Sequence, residues 1–257
     1  MEEQMTFDDL NKVDEGSIPK SNVREAKAEE NPYEKLLTKS EFNKAFIREL
    51  SAMGGRHNLI SVFGDAVAMM ADAMWKVTAP EKDKDEVEKH YMSCVERYTK
   101  EEMSHLTEMM TIIVTFLGRW RESFLGPILE EIGAAKTRNG QFLTPNDIAK
   151  LMAEIVADNE EPGADGLVRI SDPACGAGVT LIAQGEELLN GRKIPQRNIF
   201  ITGGDIDRVS CDISFIELSL LGYAARIDHM NSLTMEILSP SRYTIGYYLH
   251  GVCWKTK

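Results

Sequence analysis

The sequence predicts an α/β fold in which a helical N-terminal region precedes a short parallel sheet. Apolar residues recur at helical spacing from residue 40 to residue 133, and short apolar runs follow after residue 166. The first of these runs leads through a glycine-rich turn into a helix-compatible segment. Strand, glycine turn and helix in this order are typical of nucleotide-binding α/β proteins. We therefore expect a helical domain over residues 39–133 and a sheet core over residues 134–257.

The composition argues against several classes of protein. Hydrophobic residues make up 43% of the 257-residue chain, but no apolar run approaches the ~20 residues of a membrane span. This predicts a cytoplasmic protein without membrane contact. The four cysteines, Cys94, Cys175, Cys211 and Cys253, lack metal-binding spacing and predict neither a metal site nor disulfides. A net charge of −12 argues against DNA binding over a broad surface, but it allows a local basic groove or a partner subunit that contacts DNA.

Residues 1–38 are polar and charge-rich, without a sustained apolar period. This composition predicts a disordered acidic tail, because it offers too few apolar side chains to offset the entropy of ordering. An acidic arm that mimics DNA or docks a partner is the alternative interpretation of the same charges.

Amphipathic helices are predicted throughout residues 40–133. Ser40 is expected to cap the first of them, and Thr99 with Glu102 resembles a capping box that opens the fourth. The charged run 81–86 is predicted to be a surface loop. The predicted helices cover residues 40–53, 59–77, 87–98, 99–117 and 124–132.

The segment 139–145, reading NGQFLTP, precedes a further predicted helix that extends to Val156. Thr144 is a good N-cap, and Pro145 suits the first helical position because its missing N–H would have no partner there. From the residues alone, this segment is a loop followed by a helix start.

The first predicted strand covers residues 167–171 and ends before Pro173, because proline cannot continue a central strand. Gly176 and Gly178 then bracket a tight turn, and a helix is predicted over residues 181–189. Such a turn directs backbone N–H groups and a helix N-terminus at a ligand. Glycine is expected there because a Cβ would hold the ligand away from the backbone.

The second predicted strand covers residues 199–205 and ends in an acid, Asp205. An acid at such a strand end can accept hydrogen bonds from ribose hydroxyls, and a purely structural acid is the alternative. Asp207 is expected to cap the next helix. A third strand begins at Ala224 and runs on towards Asn231.

The string Asp172-Pro173-Ala174-Cys175-Gly176-Ala177-Gly178 closely resembles the S-adenosylmethionine loop of the N6-adenine DNA methyltransferases. The likeness is to the methylation subunits of type I restriction–modification systems and their phage and plasmid relatives. Gly-Gln-Phe-x-Thr-Pro at 140–145 and Gly-x-Asp-Ile-Asp at 203–207 agree with this family in order and spacing. The resemblance implies an abbreviated Rossmann-like methyltransferase core, S-adenosylmethionine as the cofactor and DNA as the substrate.

The resemblance also implies which residues contact the cofactor. Phe142, Thr144 and Pro145 would cover its methionine end, Asp205 would bind the ribose, and Ile206 would lie against the adenine. Asn231 would accept from the adenine amine or serve only as a turn residue, since Met230 stands where the family has glycine. The cofactor-binding candidates are Phe142, Thr144, Pro145, Asp172, Pro173, Ala174, Cys175, Gly176, Gly178, Asp205, Ile206 and Asn231.

One family feature has no counterpart in this sequence. The active amino-methyltransferases that it resembles carry Asn/Asp-Pro-Pro-Tyr/Phe, which holds the target base, but Pro-Pro does not occur here. The catalytic residues are therefore unknown. Tyr243, Tyr247, Tyr248 and Trp254 could form a base-stacking surface, but we favour an edge strand that closes the sheet.

Three hypotheses follow from the resemblance and this departure from it. The first is an S-adenosylmethionine-dependent DNA adenine-N6 methyltransferase of phage or plasmid type, or a subunit of one, whose target-base residues are unconventional or supplied by another chain. DNA would be bound directly or through a partner subunit, and both a homo-oligomer and a hetero-oligomer stay open. The second is a catalytically inactive cofactor-binding relative that regulates or antagonises restriction. The third is a remnant of the fold that binds no cofactor.

Overall fold

The computed structural model describes residues 31–55, 57–133, 143–158 and 160–256. Most of the predicted tail at 1–38, and Phe142 among the predicted cofactor contacts, lie outside the described residues. Residues Tyr33–Lys257 form one compact unit. None of the described helices is long and apolar enough to cross a membrane. The division at residue 133 into a helical domain and a core stays a prediction.

The N-terminal part of this unit is helical, as predicted from residue 40 onwards. Before these helices, within the stretch predicted to be a disordered tail, Pro32–Lys35 form a 3₁₀ turn in which Tyr33 is buried. The capping box of Thr99 and Glu102 is confirmed. The first helix, however, is capped by Thr38 rather than Ser40, because Thr38 Oγ1 accepts from the N–H of Glu41. The helices are α1 (Lys39–Gly54), α2 (Leu59–Trp75), α3 (Glu81–Val95), α4 (Lys100–Trp120) and α5 (Leu125–Glu131).

The charged run at 81–86 forms the first turns of α3 and is not a loop, so that prediction was wrong. Pro80 stands immediately before the helix, where its missing N–H leaves no hydrogen bond unmade. Glu81 and Asp83 lie in the first turn, and their negative charges are favourable beside the positive end of the helix dipole.

Aromatic rings pack the helices against one another and against the sheet. Phe46 meets Phe124 edge to face at 5.5 Å between ring centroids, and Phe42 meets Phe116 at 5.8 Å. The same hydrophobic core continues into the sheet, where it includes Ile201. The helices therefore form one packed body with the strands.

The elements after α5 are α6 (Asn146–Ala157), β1 (Val168–Asp172), α7 (Val179–Glu186), β2 (Ile199–Asp205), α8 (Arg208–Leu220) and β3 (Ala224–Asn231). The described strands form a mostly parallel sheet in the order β1-β2-β3, which confirms the predicted α/β class. Val168 pairs with Ile199, and Ile201 with Ala225. α7, continued by a π turn at Glu187–Gly191, leads from β1 to β2, and α8 leads from β2 to β3.

The two edges of the sheet differ. The outer edge of β3 is covered by two short antiparallel strands, β4 (Glu236–Ile237) and β5 (Arg242–Tyr243). Among the described residues, β1 pairs only with β2. The helix α6 (Asn146–Ala157) buries small side chains and leaves a row of large aliphatic ones in solvent, namely Ile148, Leu151, Met152, Ile155 and Val156.

The C-terminal aromatic residues lie at the amino ends of the strands. Tyr247, in α9 (Ile245–Leu249), packs on Phe200 at the start of β2, with 5.7 Å between ring centroids. Thr244 Oγ1 accepts a hydrogen bond of 2.9 Å from the N–H of Ala225, near the start of β3. A last short helix, α10 (Val252–Lys255), follows. Tyr243 pairs in β5, so the edge-strand interpretation holds for this residue. It was wrong for Tyr247, Tyr248 and Trp254, which lie in α9 and α10.

Candidate functional site

The loops after the parallel strands meet at one edge of the sheet. Asp172, the last residue of β1, lies beside Gly203 of β2, and Asp205 at the end of β2 lies beside His229 of β3. Carboxyl ends of parallel strands are where ligands bind in open α/β sheets. The predicted glycine turn and the predicted ribose-binding acid are therefore neighbours in space.

The glycine turn needs glycine for reasons internal to the protein. Gly176 and Gly178 have φ values of 52° and 76°, in the left-handed region that disfavours side chains. A Cβ at Gly178 would lie 2.8 Å from Ser214 Oγ, and one at Gly176 would lie 3.0 Å from Leu143 Cδ2. Backbone conformation and close packing thus explain both glycines, in addition to the ligand approach expected from the sequence.

Asp172 secures the first half of the turn. Its Oδ1 accepts a hydrogen bond of 3.0 Å from the N–H of Ala174, and its Oδ2 accepts one of 2.8 Å from the hydroxyl of Thr180. Thr180 lies in the first turn of α7. One carboxylate therefore ties the end of β1 to the start of the following helix.

Asp205 secures the second half of the turn. The residue is only 6% exposed, and its Oδ2 accepts a hydrogen bond of 2.8 Å from the N–H of Gly176. Its Oδ1 accepts one of 2.8 Å from the N–H of Asp207, whose own carboxylate caps α8 by accepting from Ser210, as predicted. Each oxygen of Asp205 retains acceptor capacity for a further partner.

The sequence of this region matches a known family model. Residues 117–242 match the model described as N-6 DNA methylase. This part of the chain belongs to the N-6 DNA methylase family. The matched part begins in the last turn of α4, includes the glycine turn and Asp205, and ends at Arg242. We refer to residues 117–242 as the methylase domain.

A solved structure from Listeria monocytogenes, described as a candidate class I S-adenosylmethionine-dependent methyltransferase, resembles the protein with a TM-score of 0.45 and 16% sequence identity. The alignment covers 78% of this chain and 56% of that one, so the chain spans little more than half the length of that protein. Comparison with curated proteins found no matching sequence.

A cavity of about 80 Å³ lies over the glycine turn of the methylase domain. The candidates Thr144, Asp172, Ala174, Cys175 and Gly176 line it, as do three residues that the sequence did not indicate. Those three are Leu143, Val179 and Thr180. A threonine in the first turn after a glycine loop was the available signal for Thr180, because its hydroxyl is placed to bond the preceding acid.

Pro145 lies apart from this cavity and was assigned the wrong helix position. It is the N-cap of α6, which begins at Asn146, and Thr144 makes no capping hydrogen bond. Asn146 Nδ2 instead donates a hydrogen bond of 2.8 Å to the carbonyl of Ser123, which ties the helix start to the segment before α5. Pro145 lines a different cavity, of about 230 Å³, next to Phe124 and Ser123.

Cys175 is buried within the turn. Burial raises the pKa of its thiol to about 12, and the charge of Asp205 acts in the same direction. The thiol is therefore neutral at physiological pH and chemically inert. The backbone N–H of Cys175 donates to the carbonyl of Gly204 at 3.0 Å, which joins the turn to β2.

The side of the site nearest β3 is partly occupied by the protein itself. Ile206 is 54% exposed beside Asp205, where an apolar ring could lie against it. Asn231 Oδ1 accepts from the N–H groups of Leu233 and Thr234, at 3.0 and 3.3 Å, which is the turn role that the sequence left open. The hydroxyl of Ser232 donates to the carbonyl of Pro173 and so bridges the loops after β1 and β3. The proposed role of Asn231 towards adenine stays a prediction.

Proposed function

We propose that this protein is an S-adenosylmethionine-dependent DNA adenine-N6 methyltransferase, or a subunit of one, of the phage or plasmid restriction–modification type. The observation that carries the proposal is the hydrogen bond between Asp205 and Gly176, which holds an acid and a glycine turn side by side at the carboxyl edge of a parallel sheet. Membership of the methylase domain in the N-6 DNA methylase family supports the same function.

The residues present suit S-adenosylmethionine. Asp205 keeps acceptor capacity on both oxygens for the ribose hydroxyls, and Ile206 offers an exposed apolar surface for the adenine. The N-terminus of α7 and the left-handed turn before it leave backbone N–H groups for the polar end of the ligand. Thr144 and Leu143 line the cavity over the turn, which supports a role for them in covering the methionine portion.

The bound cofactor would supply an electrophilic methyl group, so the protein's task is to position it and the target amine. In this proposal, Asp205 and the glycine turn orient the nucleoside, while Leu143 and Thr144 exclude water from the turn. The residues that hold the target adenine are not assigned.

DNA binding is proposed to require a partner subunit. The net charge of −12 disfavours a broad DNA-binding surface on this chain alone. The edge of β1, unpaired within the described part, and the exposed aliphatic row of α6 support association with another polypeptide or another copy. Sedimentation equilibrium of wild type and Leu151→Glu tests the homo-oligomeric form: a mass above 28.8 kDa that the substitution abolishes is expected.

A specific observation favours the second candidate, a cofactor-binding relative without catalysis that regulates or antagonises restriction. The residues that line the cavity over the turn include no aromatic ring among the described part of the chain. The aromatic residues of the C-terminus lie at the opposite, amino ends of the strands, where they cannot stack on a base beside the turn.

Two measurements separate these functions. Calorimetric titration with S-adenosylmethionine tests cofactor binding, and transfer of a tritiated methyl group to unmethylated DNA tests catalysis. Binding with transfer supports the methyltransferase, and binding without transfer, even when a partner is supplied, supports the inactive relative. Absence of binding would contradict both.

A further inference from the structure

The methylase domain contains a buried hydroxyl that acts on the glycine turn from outside the motif. Ser214 lies in α8 and is completely buried. Its Oγ donates a hydrogen bond of 2.9 Å to the carbonyl of Gly176, 38 residues earlier in the chain. None of the sequence motifs includes this residue.

The contact clamps Gly176 on both sides. The N–H of Gly176 donates to Asp205 at 2.8 Å, and its carbonyl accepts from Ser214 at 2.9 Å. Asp205 stands just before α8, and Ser214 lies within that helix. The helix that follows the ribose-binding acid therefore also holds the turn that faces it.

Packing alone does not explain a serine at this position. A Cβ on Gly178 would lie 3.1 Å from Ser214 Cβ, so only a small side chain fits between α8 and the turn. Alanine would satisfy that requirement equally well. What the hydroxyl adds is an O–H donor at 2.9 Å for the Gly176 carbonyl, whose other side-chain partner is the weak thiol donor of Cys175 at 3.6 Å.

We propose that Ser214 is a positioning residue for cofactor binding, which acts by fixing the Gly176 peptides and, through them, the orientation of Asp205. This inference rests on the proposed function, because the ligand in question is S-adenosylmethionine. It predicts that Ser214 influences affinity through Asp205, and that removal of its hydroxyl leaves the rest of α8 in place.

The test is a double-mutant cycle measured by calorimetry with S-adenosylmethionine. Ser214→Ala is expected to weaken binding about tenfold in the wild-type background, the effect of one lost hydrogen bond in a positioning network. In the Asp205→Asn background, Ser214→Ala is expected to change affinity by less than about threefold, because the carboxylate that Ser214 positions has already been removed. Equal effects in the two backgrounds, or no effect in either, would overturn the proposal.

Ser219→Ala is the matched control. Ser219 lies in the same helix and is also buried, but its hydroxyl has no hydrogen-bond partner among the described residues. Its removal is expected to leave cofactor affinity unchanged. A loss of affinity equal to that of Ser214→Ala would show that any buried change in α8 suffices, and the proposal would fall.

A second readout needs no cofactor. Hydrogen–deuterium exchange of the peptide over residues 173–181 is expected to accelerate in Ser214→Ala and to stay unchanged in Ser219→Ala. Unchanged exchange in both variants would contradict the clamp. The exchange data and the double-mutant cycle could agree with these expectations while no methyl group is transferred to DNA. In that case the proposed methyltransferase function is wrong and the positioning role of Ser214 is supported. If the wild type binds no cofactor, both fall.

Discussion

The carboxylate of Asp205 accepts a hydrogen bond of 2.8 Å from the backbone N–H of Gly176, 29 residues away in the sequence. This bond joins the end of β2 to the turn after β1, and it places a charged acceptor next to the N-terminus of α7. The two parts of the proposed nucleoside site are therefore held in a fixed relation before any ligand binds. Such preorganisation reduces the entropy lost on binding.

Substitution of Asp205 should weaken cofactor binding. Asp205→Ala is expected to raise the dissociation constant for S-adenosylmethionine by about 10- to 100-fold, because charge-assisted hydrogen bonds of ~1.5–3 kcal/mol are lost. Calorimetry provides the measurement. Asp165→Ala, which removes an acid paired with Arg169 on the surface, is the control and should leave affinity unchanged. Wild-type affinity in Asp205→Ala would remove this residue from the site.

The glycine turn should be intolerant of a side chain at Gly178. Gly178→Ala is expected to destabilise the fold by about 1–3 kcal/mol from backbone strain, plus the clash with Ser214 at 2.8 Å. Gly166→Ala is the matched control, because Gly166 also has a positive φ, of 75°, but open space around its Cβ position. The free energies of unfolding in urea should differ between the two variants, and equal losses would show that the contact with Ser214 adds nothing.

Stability should depend on pH through Glu217. Burial raises the pKa of this carboxyl to about 7, against the hydrogen bonds that its Oε1 accepts from the N–H groups of Leu125 and Phe124. The folded state therefore binds a proton more tightly than the unfolded state, whose carboxyl has the ordinary pKa of 4.5. Protonation of Glu217 therefore contributes its full stabilisation of the folded state below pH 4.5, and this contribution is lost as the pH rises towards 7.

Glu217→Gln should remove that dependence. Glutamine can accept the same two backbone hydrogen bonds through its oxygen, but it never ionises. Relative to wild type, the variant should gain stability between pH 5 and pH 8, on the order of 3 kcal/mol in total. Chemical denaturation at a series of pH values measures this difference, and parallel pH profiles for the two proteins would refute it.

The junction between the helices and the sheet should depend on Arg242. This buried guanidinium donates a hydrogen bond of 2.7 Å to Asp72 of α2 and forms an ion pair with Asp212 of α8 at 2.8 Å. It also lies over the rings of Trp75 and Phe215. Arg242→Met should destabilise the fold by about 3–5 kcal/mol, because two carboxylates lose a buried partner.

The surface pair of Arg169 and Asp165 provides the comparison for that prediction. Arg169→Met removes an exposed ion pair and should cost less than about 1 kcal/mol. Thermal unfolding of both variants tests the difference. A loss in Arg242→Met as small as that in Arg169→Met would show that the buried network contributes no more than a surface contact.

Where sequence signals were short-range, they predicted the structure well. The strand at 199–205, the capping box at Thr99 and the cap at Asp207 depend on residues within a few positions of each other, and all three are confirmed. The start of α3 was missed because a run of charges is compatible with both a loop and an exposed helix. The role of Thr144 was predicted wrongly because its residue type alone favours an N-cap, whereas α6 begins only at Asn146, whose side chain binds the carbonyl of Ser123.

By itself, the sequence determined the order of the elements, the tight glycine turn and the acid at the end of β2, since each follows from local backbone preference or side-chain chemistry. Only the tertiary structure decided that Ser214 reaches Gly176, that Glu217 is buried at the start of α5, and that the aromatic tail packs at the amino ends of the strands. Those contacts join residues far apart in the chain. They depend on how helices pack around the sheet, which no local pattern encodes.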